Sequence, residues 1–62
     1  MEIRLAQIRK EQNYSQQKLA DAIGVNRSLI SRWERGEVDP GMRRWALVAR
    51  ELGVTLDDLI AI

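Results

Sequence analysis

The sequence has 62 residues, 45% of them hydrophobic and 31% charged, and a formal net charge of +1. This length predicts one small domain, residues 1–62, which must bury most of its apolar side chains to be stable. It contains no cysteine and no histidine, which argues against disulfides and the usual zinc sites and fits a reducing cytoplasm. No apolar run is long enough to cross a bilayer, so we expect a soluble, cytoplasmic protein without a membrane partner.

The charge is distributed unevenly along the chain. Residues 1–36 contain seven Lys/Arg and four Asp/Glu, a balance of +3, and residues 37–62 contain three and five, a balance of −2. The basic surplus therefore lies in the first part of the chain. A basic surplus confined to one part is typical of a surface that binds an anionic partner such as nucleic acid.

The first predicted helix covers about residues 2–12 and places Met1, Leu5, Ile8 and Arg9 on one side. An arginine on an apolar stripe needs a partner. The single carboxylate on the packing side of a later predicted helix is Glu34, so we predict an ion pair between Arg9 and Glu34. The alternative is that Arg9 contacts a phosphate.

Two short helices hinged at one glycine are predicted next, over about residues 16–35. Leu19, Ala20 and Ile23 share one face of the first of these helices, and Ser15 precedes it as a candidate N-cap. Gly24 can end it in the left-handed conformation that closes a helix, and Asn26, two residues later, can cap the next helix. This spacing predicts a helix-turn-helix.

The second of these helices, residues 27–35, has a strongly divided surface. One side carries Leu29, Ile30, Trp33 and Glu34, and the opposite arc carries Arg27, Ser28, Ser31, Arg32 and Arg35. Three guanidiniums and two hydroxyls without a carboxylate suit phosphates and guanine edges, since the arginine fork can donate to O6 and N7 together. The alternative is an ordinary solvated face. Leu29 lies at the border, where it either touches a thymine methyl or completes the packing.

The rest of the chain predicts two more helices. Asp39 and Pro40 are typical of an N-cap followed by a first-turn proline, and the fourth helix continues to Leu52. Thr55 and Asp58 predict a capping box for a short fifth helix. Core positions of these two helices are expected at Met42, Trp45, Val48, Ala49, Leu52, Leu56 and Leu59. The predicted fold class is all-α, a compact five-helix bundle.

Three apolar residues have no obvious place in so small a core: Leu47, Ile60 and Ile62. Exposed together they predict a partner surface. We expect a homodimer formed through the fourth and fifth helices, and the alternative is a different protein partner.

No pattern indicates catalysis, a cofactor or a metal. The sequence has neither a glycine-rich phosphate loop nor a GxSxG motif. The adjacent carboxylates Asp57 and Asp58 are better explained as favourable charge at a helix start than as an acid–base pair. We therefore expect a protein that is not an enzyme.

The chain resembles the Cro and phage-repressor type of helix-turn-helix domain, the xenobiotic-response-element family of bacterial and phage regulators. The residues that carry the resemblance are Leu5, Ile8, Arg9, Tyr14-Ser15-Gln16, Leu19-Ala20, Ile23-Gly24-Val25, Ser28, Ile30-Ser31, Trp33-Glu34, Gly36, Pro40, Ala49, Leu52-Gly53-Val54 and Leu59. The resemblance implies a five-helix domain of the lambda-repressor type. It also favours the Arg9–Glu34 pair, which recurs in the family. Gly41 departs from the pattern, because the family usually has serine or threonine after the proline.

The resemblance also implies roles for individual side chains on DNA. Base contacts map onto Asn26, Arg27, Ser28 and Arg32, and a glutamine contact to DNA maps onto Gln16 and, less directly, Gln17. Ser31 is a position where the family often places a small residue near the DNA backbone. From its position at the helix end, Arg35 is expected to reach a phosphate. Arg43 and Arg44, beside the amides that open the fourth helix, are expected either to meet a phosphate or to be solvated.

These observations predict sequence-specific binding of double-stranded DNA in the major groove and a role as a transcriptional regulator, with repression as the output. In a homodimer, the helix of residues 27–35 that contacts the bases would occur twice, and the two copies would lie about 34 Å apart on a near-palindromic site. The alternative function is a protein-binding module of the same fold, such as an antitoxin or an adaptor.

Overall fold

The computed structural model describes residues 2–61. Five helices account for most of this range: α1 (Leu5–Glu11), α2 (Gln16–Ile23), α3 (Arg27–Glu34), α4 (Met42–Leu52) and α5 (Leu56–Leu59). Two short strands, β1 (Glu2–Ile3) and β2 (Ile60–Ala61), bracket them. The predicted five-helix architecture is confirmed.

The strand pair is a difference from the all-α expectation. Glu2 pairs with Ala61 and Ile3 pairs with Ile60 in antiparallel register, and the Arg4 amide donates to the Leu59 carbonyl at 2.7 Å. The prediction that the first helix starts at residue 2 was therefore wrong, since α1 begins at Leu5. Residues nearly 60 positions apart form these strands, and local helical periodicity carries no information about such a pairing.

The caps around α2 and α3 are the ones that the sequence predicts. The Ser15 hydroxyl accepts from the Lys18 amide at 2.9 Å, and the Asn26 side chain accepts from the Ser28 amide at 2.8 Å. Gly24 closes α2 with φ of 76°, in the left-handed region. The starts of α2 and α3 are capped from three and two residues away, and the Gly24 amide closes α2 by donating to the Ala20 carbonyl. The turn between α2 and α3 is therefore short and well defined.

The capping box of α5 is also present. The Thr55 amide donates to the Asp58 carboxylate at 3.0 Å, and the Asp58 amide donates to the Thr55 hydroxyl at 3.2 Å. Hydrogen bonds from Thr55, first from its backbone amide, hold the pKa of the Asp58 carboxyl below its ordinary value. The box fixes the point at which α5 begins.

The start of α4 differs from the prediction. Gly41, with φ of 85°, occupies the N-cap position, and the Asp39 carboxylate accepts from the Gly41 amide at 3.0 Å instead of capping the helix. Pro40 consequently lies before the helix. Met42 was predicted to be a core residue, but it is 73% exposed. Met42 is the first residue of α4, and because side chains in an α-helix lean toward its N-terminus, its side chain leans away from the rest of the helix.

The core lies where α2, α3 and α4 meet and is closed by α1 and α5. Its buried apolar members are Leu5, Leu19, Ala20, Ile30, Trp33, Trp45, Val48, Ala49, Leu52 and Leu59. Of the predicted α5 core positions, Leu59 is fully buried and Leu56 is half-buried against the cluster. This packing holds the apolar side of α3 against the core, and the polar side of α3 faces outward.

Candidate nucleic-acid interface

The outer side of α3 presents the basic and hydroxyl residues together. Arg27, Ser28, Arg32 and Arg35 are exposed, and Ser31 is half-buried. On the opposite side, Ile30 and Trp33 have no exposed surface, so the helix cannot rotate without breaking the core. The structure therefore places this predicted face, formed by Arg27, Ser28, Ser31, Arg32 and Arg35 and called the reading face below, on a fixed helix with its polar side toward solvent.

Leu29, at the border of this face, packs against the core cluster and is half-buried. Of the two alternatives left by the sequence, the structure favours packing. The reading face is therefore polar from the first turn of α3 to its last.

Gln16 joins the start of α2 to both ends of α3. Its side-chain amide nitrogen donates to a Glu34 carboxylate oxygen at 2.9 Å. Its amide oxygen lies 3.5 Å from an Arg27 guanidinium nitrogen, a long and weak hydrogen bond. Because Glu34 holds the nitrogen, the oxygen of Gln16 is directed toward Arg27 and the solvent.

Gln17 has a different environment from Gln16. It is exposed and donates to the Asp21 carboxylate one turn along α2 at 2.8 Å. The structure therefore links Gln17 to its own helix and not to α3.

The Glu34 carboxylate that accepts from Gln16 also belongs to a buried ion pair with Arg9. The Arg9 Nε donates to Glu34 Oε2 at 2.6 Å, and both side chains are 8% exposed. A second guanidinium nitrogen donates to Glu34 Oε1 at 3.3 Å, and the third donates to the Tyr14 carbonyl at 2.7 Å. The Arg9 guanidinium is thus occupied inside the protein, which is the predicted pair and leaves it no open side for a phosphate.

Arg35 also has partners within the protein. Its Nε donates to Glu37 Oε2 at 2.6 Å and its Nη2 to Glu37 Oε1 at 3.3 Å. Its Nη1 donates to the Ser31 hydroxyl at 3.1 Å. The hydrogen bond with Glu37 raises the pKa of Arg35, and the same bond, followed by the charge of Arg32, lowers the pKa of Glu37. The sequence analysis did not identify Glu37 as part of this face.

Arg43 and Arg44 are exposed in the first turn of α4. The Gly41 amide beside them already donates to Asp39, so it is not free for a phosphate as the sequence suggested. Any anion contact at this point falls to the arginine side chains and the amides that follow Gly41.

Leu47 and Ile60, two of the residues predicted to form a dimer surface, have different environments. Leu47 is 38% exposed on α4, whereas Ile60 is half-buried in β2 against the core. Ile60 therefore has a place that the sequence did not reveal, as the partner of Ile3. Ile62 lies outside the described residues.

An apolar groove of about 280 Å³ lies elsewhere, between the strand pair and the start of α4. Its walls include Ile3, Val38, Pro40, Met42, Trp45 and Ile60. The sequence missed this groove because it depends on the strand pairing and on the late start of α4. The apolar residues Val38, in the segment before α4, and Met42, the first residue of α4, were the signal that could have indicated it, and both are exposed.

A helix-turn-helix family model matches residues 5–59 of the chain. The chain belongs to the Cro/C1-type helix-turn-helix family, the XRE family. The matched range runs from the first residue of α1 to the last residue of α5. The family therefore covers all five helices, including the buried ion pair and the α3 face.

Three relatives of this XRE-family domain are transcription regulators by name. It is 34% identical over 58 residues to the HTH-type transcriptional activator BcrR of Enterococcus faecalis, covering 94% of this chain and 28% of that protein. It is 33% identical to the SPbeta prophage-derived uncharacterized HTH-type transcriptional regulator YonR of Bacillus subtilis (strain 168), covering 92% of this chain and 53% of YonR. It is also 33% identical to the HTH-type transcriptional regulator AnsR of the same strain, with 92% and 49% covered. The chain thus spans about a quarter to a half of these relatives.

Residues 2–61 of the XRE-family domain hold no group of His, Cys, Asp and Glu residues that could bind a metal ion. None of the helices in this range has the length and apolar character needed to span a bilayer.

Proposed function

We propose that this XRE-family domain binds double-stranded DNA sequence-specifically through α3 and acts in the cytoplasm as a transcriptional regulator, with repression as its output. The observation that carries the proposal is the fixed α3 helix. Its inner side is fully buried at Ile30 and Trp33, and its outer side exposes Arg27, Ser28 and Arg32. An α-helix fits the major groove of B-DNA, which is about 12 Å wide.

The contacts follow from the positions of the side chains on α3. Arg27 and Arg32 lie five residues apart on the exposed face and are suited to donate to guanine O6 and N7. Asn26 and Ser28 flank the first turn, where the helix approaches the bases. We assign them secondary base contacts, and we assign Ser31 a contact near the DNA backbone.

Gln16 has a contact role that its hydrogen bonds support. Its amide retains one N–H beyond the one given to Glu34, and that N–H can donate to a phosphate. Its oxygen steadies Arg27. Gln17, exposed in the same first turn of α2, contributes a weaker contact with the DNA backbone.

Repression is the simpler output for such a domain. A protein that occupies a promoter excludes RNA polymerase from the same DNA, whereas activation needs a further productive contact with the polymerase. Occupancy through α3 is sufficient for the first outcome. We therefore propose an operator that overlaps the promoter it controls.

We propose further that two copies bind a near-palindromic site, with exposed Leu47 on α4 at or near the contact between subunits. Two reading helices on the same face of B-DNA require a separation of about 34 Å. Sedimentation equilibrium should detect a dimer on an operator duplex, and a Leu47→Glu variant should shift it toward monomer. A protein that stays monomeric with and without operator DNA would contradict this proposal.

The second candidate function is binding to another protein, as an antitoxin or an adaptor. The apolar groove beside Met42 favours it, since a side chain that is 73% exposed beside a groove can pack against a partner. A Met42→Gln variant, which removes the apolar side chain without adding a charge beside Arg43, separates the two functions. DNA binding through α3 should be unaffected by this change, whereas binding to a protein at the groove should be lost.

Salt dependence of DNA binding tests the position of α4 on the DNA. Replacing Arg43 by alanine is expected to weaken binding evenly across sequences and to reduce the slope of log K against log salt by about 0.9 per subunit, because one phosphate contact is lost. Fluorescence anisotropy over a NaCl series measures the slope.

Arg50→Ala is the matched control for Arg43→Ala. It removes the same charge from the same helix, about 10 Å along its axis from Arg43, and it should leave the slope unchanged. Equal slopes for wild type and Arg43→Ala would remove Arg43 from the phosphate contacts.

A further inference from the structure

An acidic residue, Glu37, follows the end of α3, and the backbone sets its position. The Glu37 amide donates to the Arg32 carbonyl at 3.0 Å, and the Gly36 amide donates to the Trp33 carbonyl at 3.1 Å. With Gly36 at φ of 72°, these two bonds form a Schellman ending of the helix. The chain therefore turns back, and Glu37 is brought beside the reading face.

The Glu37 carboxylate occupies the guanidinium of Arg35. Two nitrogens of Arg35 donate to its two oxygens, at 2.6 and 3.3 Å, which is the fork geometry that an arginine also offers to a phosphate. The remaining Nη1 donates to Ser31. All three nitrogens of the guanidinium thus have a partner within the protein.

This ion pair is nevertheless open to exchange. The side chains of Arg35 and Glu37 are 57% and 53% exposed, and an exposed pair is weak and screened by salt. A phosphate that approaches Arg35 must either displace the carboxylate or approach a like charge. In either case the contact between Arg35 and the phosphate contributes less binding free energy.

We propose that Glu37 competes with DNA phosphate for Arg35 and thereby restrains the sequence-independent affinity of the reading face. The proposal rests on the proposed DNA-binding function and concerns the same site. It assigns to Arg35 a role different from the free phosphate contact that the sequence predicted. Sequence-independent binding depends on phosphate contacts. Because Glu37 keeps Arg35 from making one of them, the affinity for DNA of unrelated sequence is lower.

The test is the binding of a short duplex of arbitrary sequence by wild type, Glu37→Gln, Arg35→Gln and the double variant, over a NaCl series. Glu37→Gln keeps the shape of the side chain and removes its charge. We expect affinity to rise about 3- to 10-fold at low salt and the slope of log K against log salt to steepen by about 0.9 per subunit, since one more phosphate contact forms.

Two controls separate the specific effect from general repulsion. In the Arg35→Gln background, Glu37→Gln should change neither the affinity nor the slope appreciably. Glu11→Gln, which neutralises an exposed carboxylate on α1 that lies 3.4 Å from the Gln7 amide, should leave the slope at the wild-type value. Circular dichroism melts confirm that each variant is folded.

Several outcomes would overturn the proposal. A gain from Glu37→Gln that is equally large without Arg35 would indicate general repulsion, and a loss of affinity would indicate that Glu37 itself supports DNA binding. If neither wild type nor Glu37→Gln binds any duplex even at low salt, the proposed function fails and the inference fails with it. The pair can also be tested without DNA, because the Arg35 Nε–Hε NMR signal should shift in Glu37→Gln, and an unchanged signal would contradict the competition.

Discussion

Replacing Glu34 by alanine is expected to destabilise the protein by about 3–5 kcal/mol, because it leaves the buried Arg9 guanidinium without its carboxylate. Both side chains are 8% exposed, and the Arg9 Nε lies 2.6 Å from Glu34 Oε2. A domain of 62 residues has a total stability of about 3–9 kcal/mol. The expected loss is therefore comparable with the total stability, and the urea midpoint should fall steeply. Urea denaturation followed by the fluorescence of Trp33 and Trp45, which are both buried, measures the change.

Two companion variants keep this prediction measurable if the alanine variant does not fold. Glu34→Gln retains the size of the side chain and should lose less stability. The double variant Arg9→Met with Glu34→Leu removes both charges and should recover most of the loss, since replacing a whole buried pair by apolar residues is often neutral or stabilising. A urea midpoint for Glu34→Ala equal to that of wild type would contradict the assigned role of the pair.

The pair also bears on DNA binding, because Glu34 accepts from Gln16 and Gln16 in turn approaches Arg27. The apolar double variant is thus expected to fold but to hold Gln16 less firmly. A folded protein with weakened DNA binding is the expected result for that variant. The ion pair therefore contributes both to stability and to the geometry of the reading face.

Replacing Arg32 by alanine is expected to weaken binding to the preferred site by about 1–3 kcal/mol and to relax the preference at one base pair of each half-site, because a bidentate contact with guanine is lost. Binding to duplexes with each of the four base pairs at that position measures the effect. Arg50→Ala, on the far end of α4, is the control and should retain the wild-type preference. An unchanged recognised sequence for Arg32→Ala would remove this residue from the base contacts.

The sequence was sufficient for the features that depend on neighbouring residues. Ser15, Gly24 and Asn26 define the ends of α2 and α3 through contacts within a few positions, so their residue types alone predict the turn. The Arg9–Glu34 contact spans 25 positions. It was nevertheless predictable, because only one carboxylate lies on the packing side of α3.

The features that were missed depend on distant or subtle geometry. The strand pair joins Ile3 to Ile60, which gives Ile60 a packed position and creates the groove. Met42 matched the core spacing of α4, yet as the first residue of that helix it is largely exposed. Glu37 approaches Arg35 because Gly36 reverses the chain direction, and the helical projection of residues 27–35 stops before this point.

Selection of bound duplexes from a randomised DNA library tests the central claim most directly. The purified protein is incubated with the library at moderate salt, and the retained sequences are compared. The proposed function predicts a recovered motif with two-fold symmetry and half-sites about one helical turn apart. Failure to retain any duplex even at low salt would contradict DNA binding through α3.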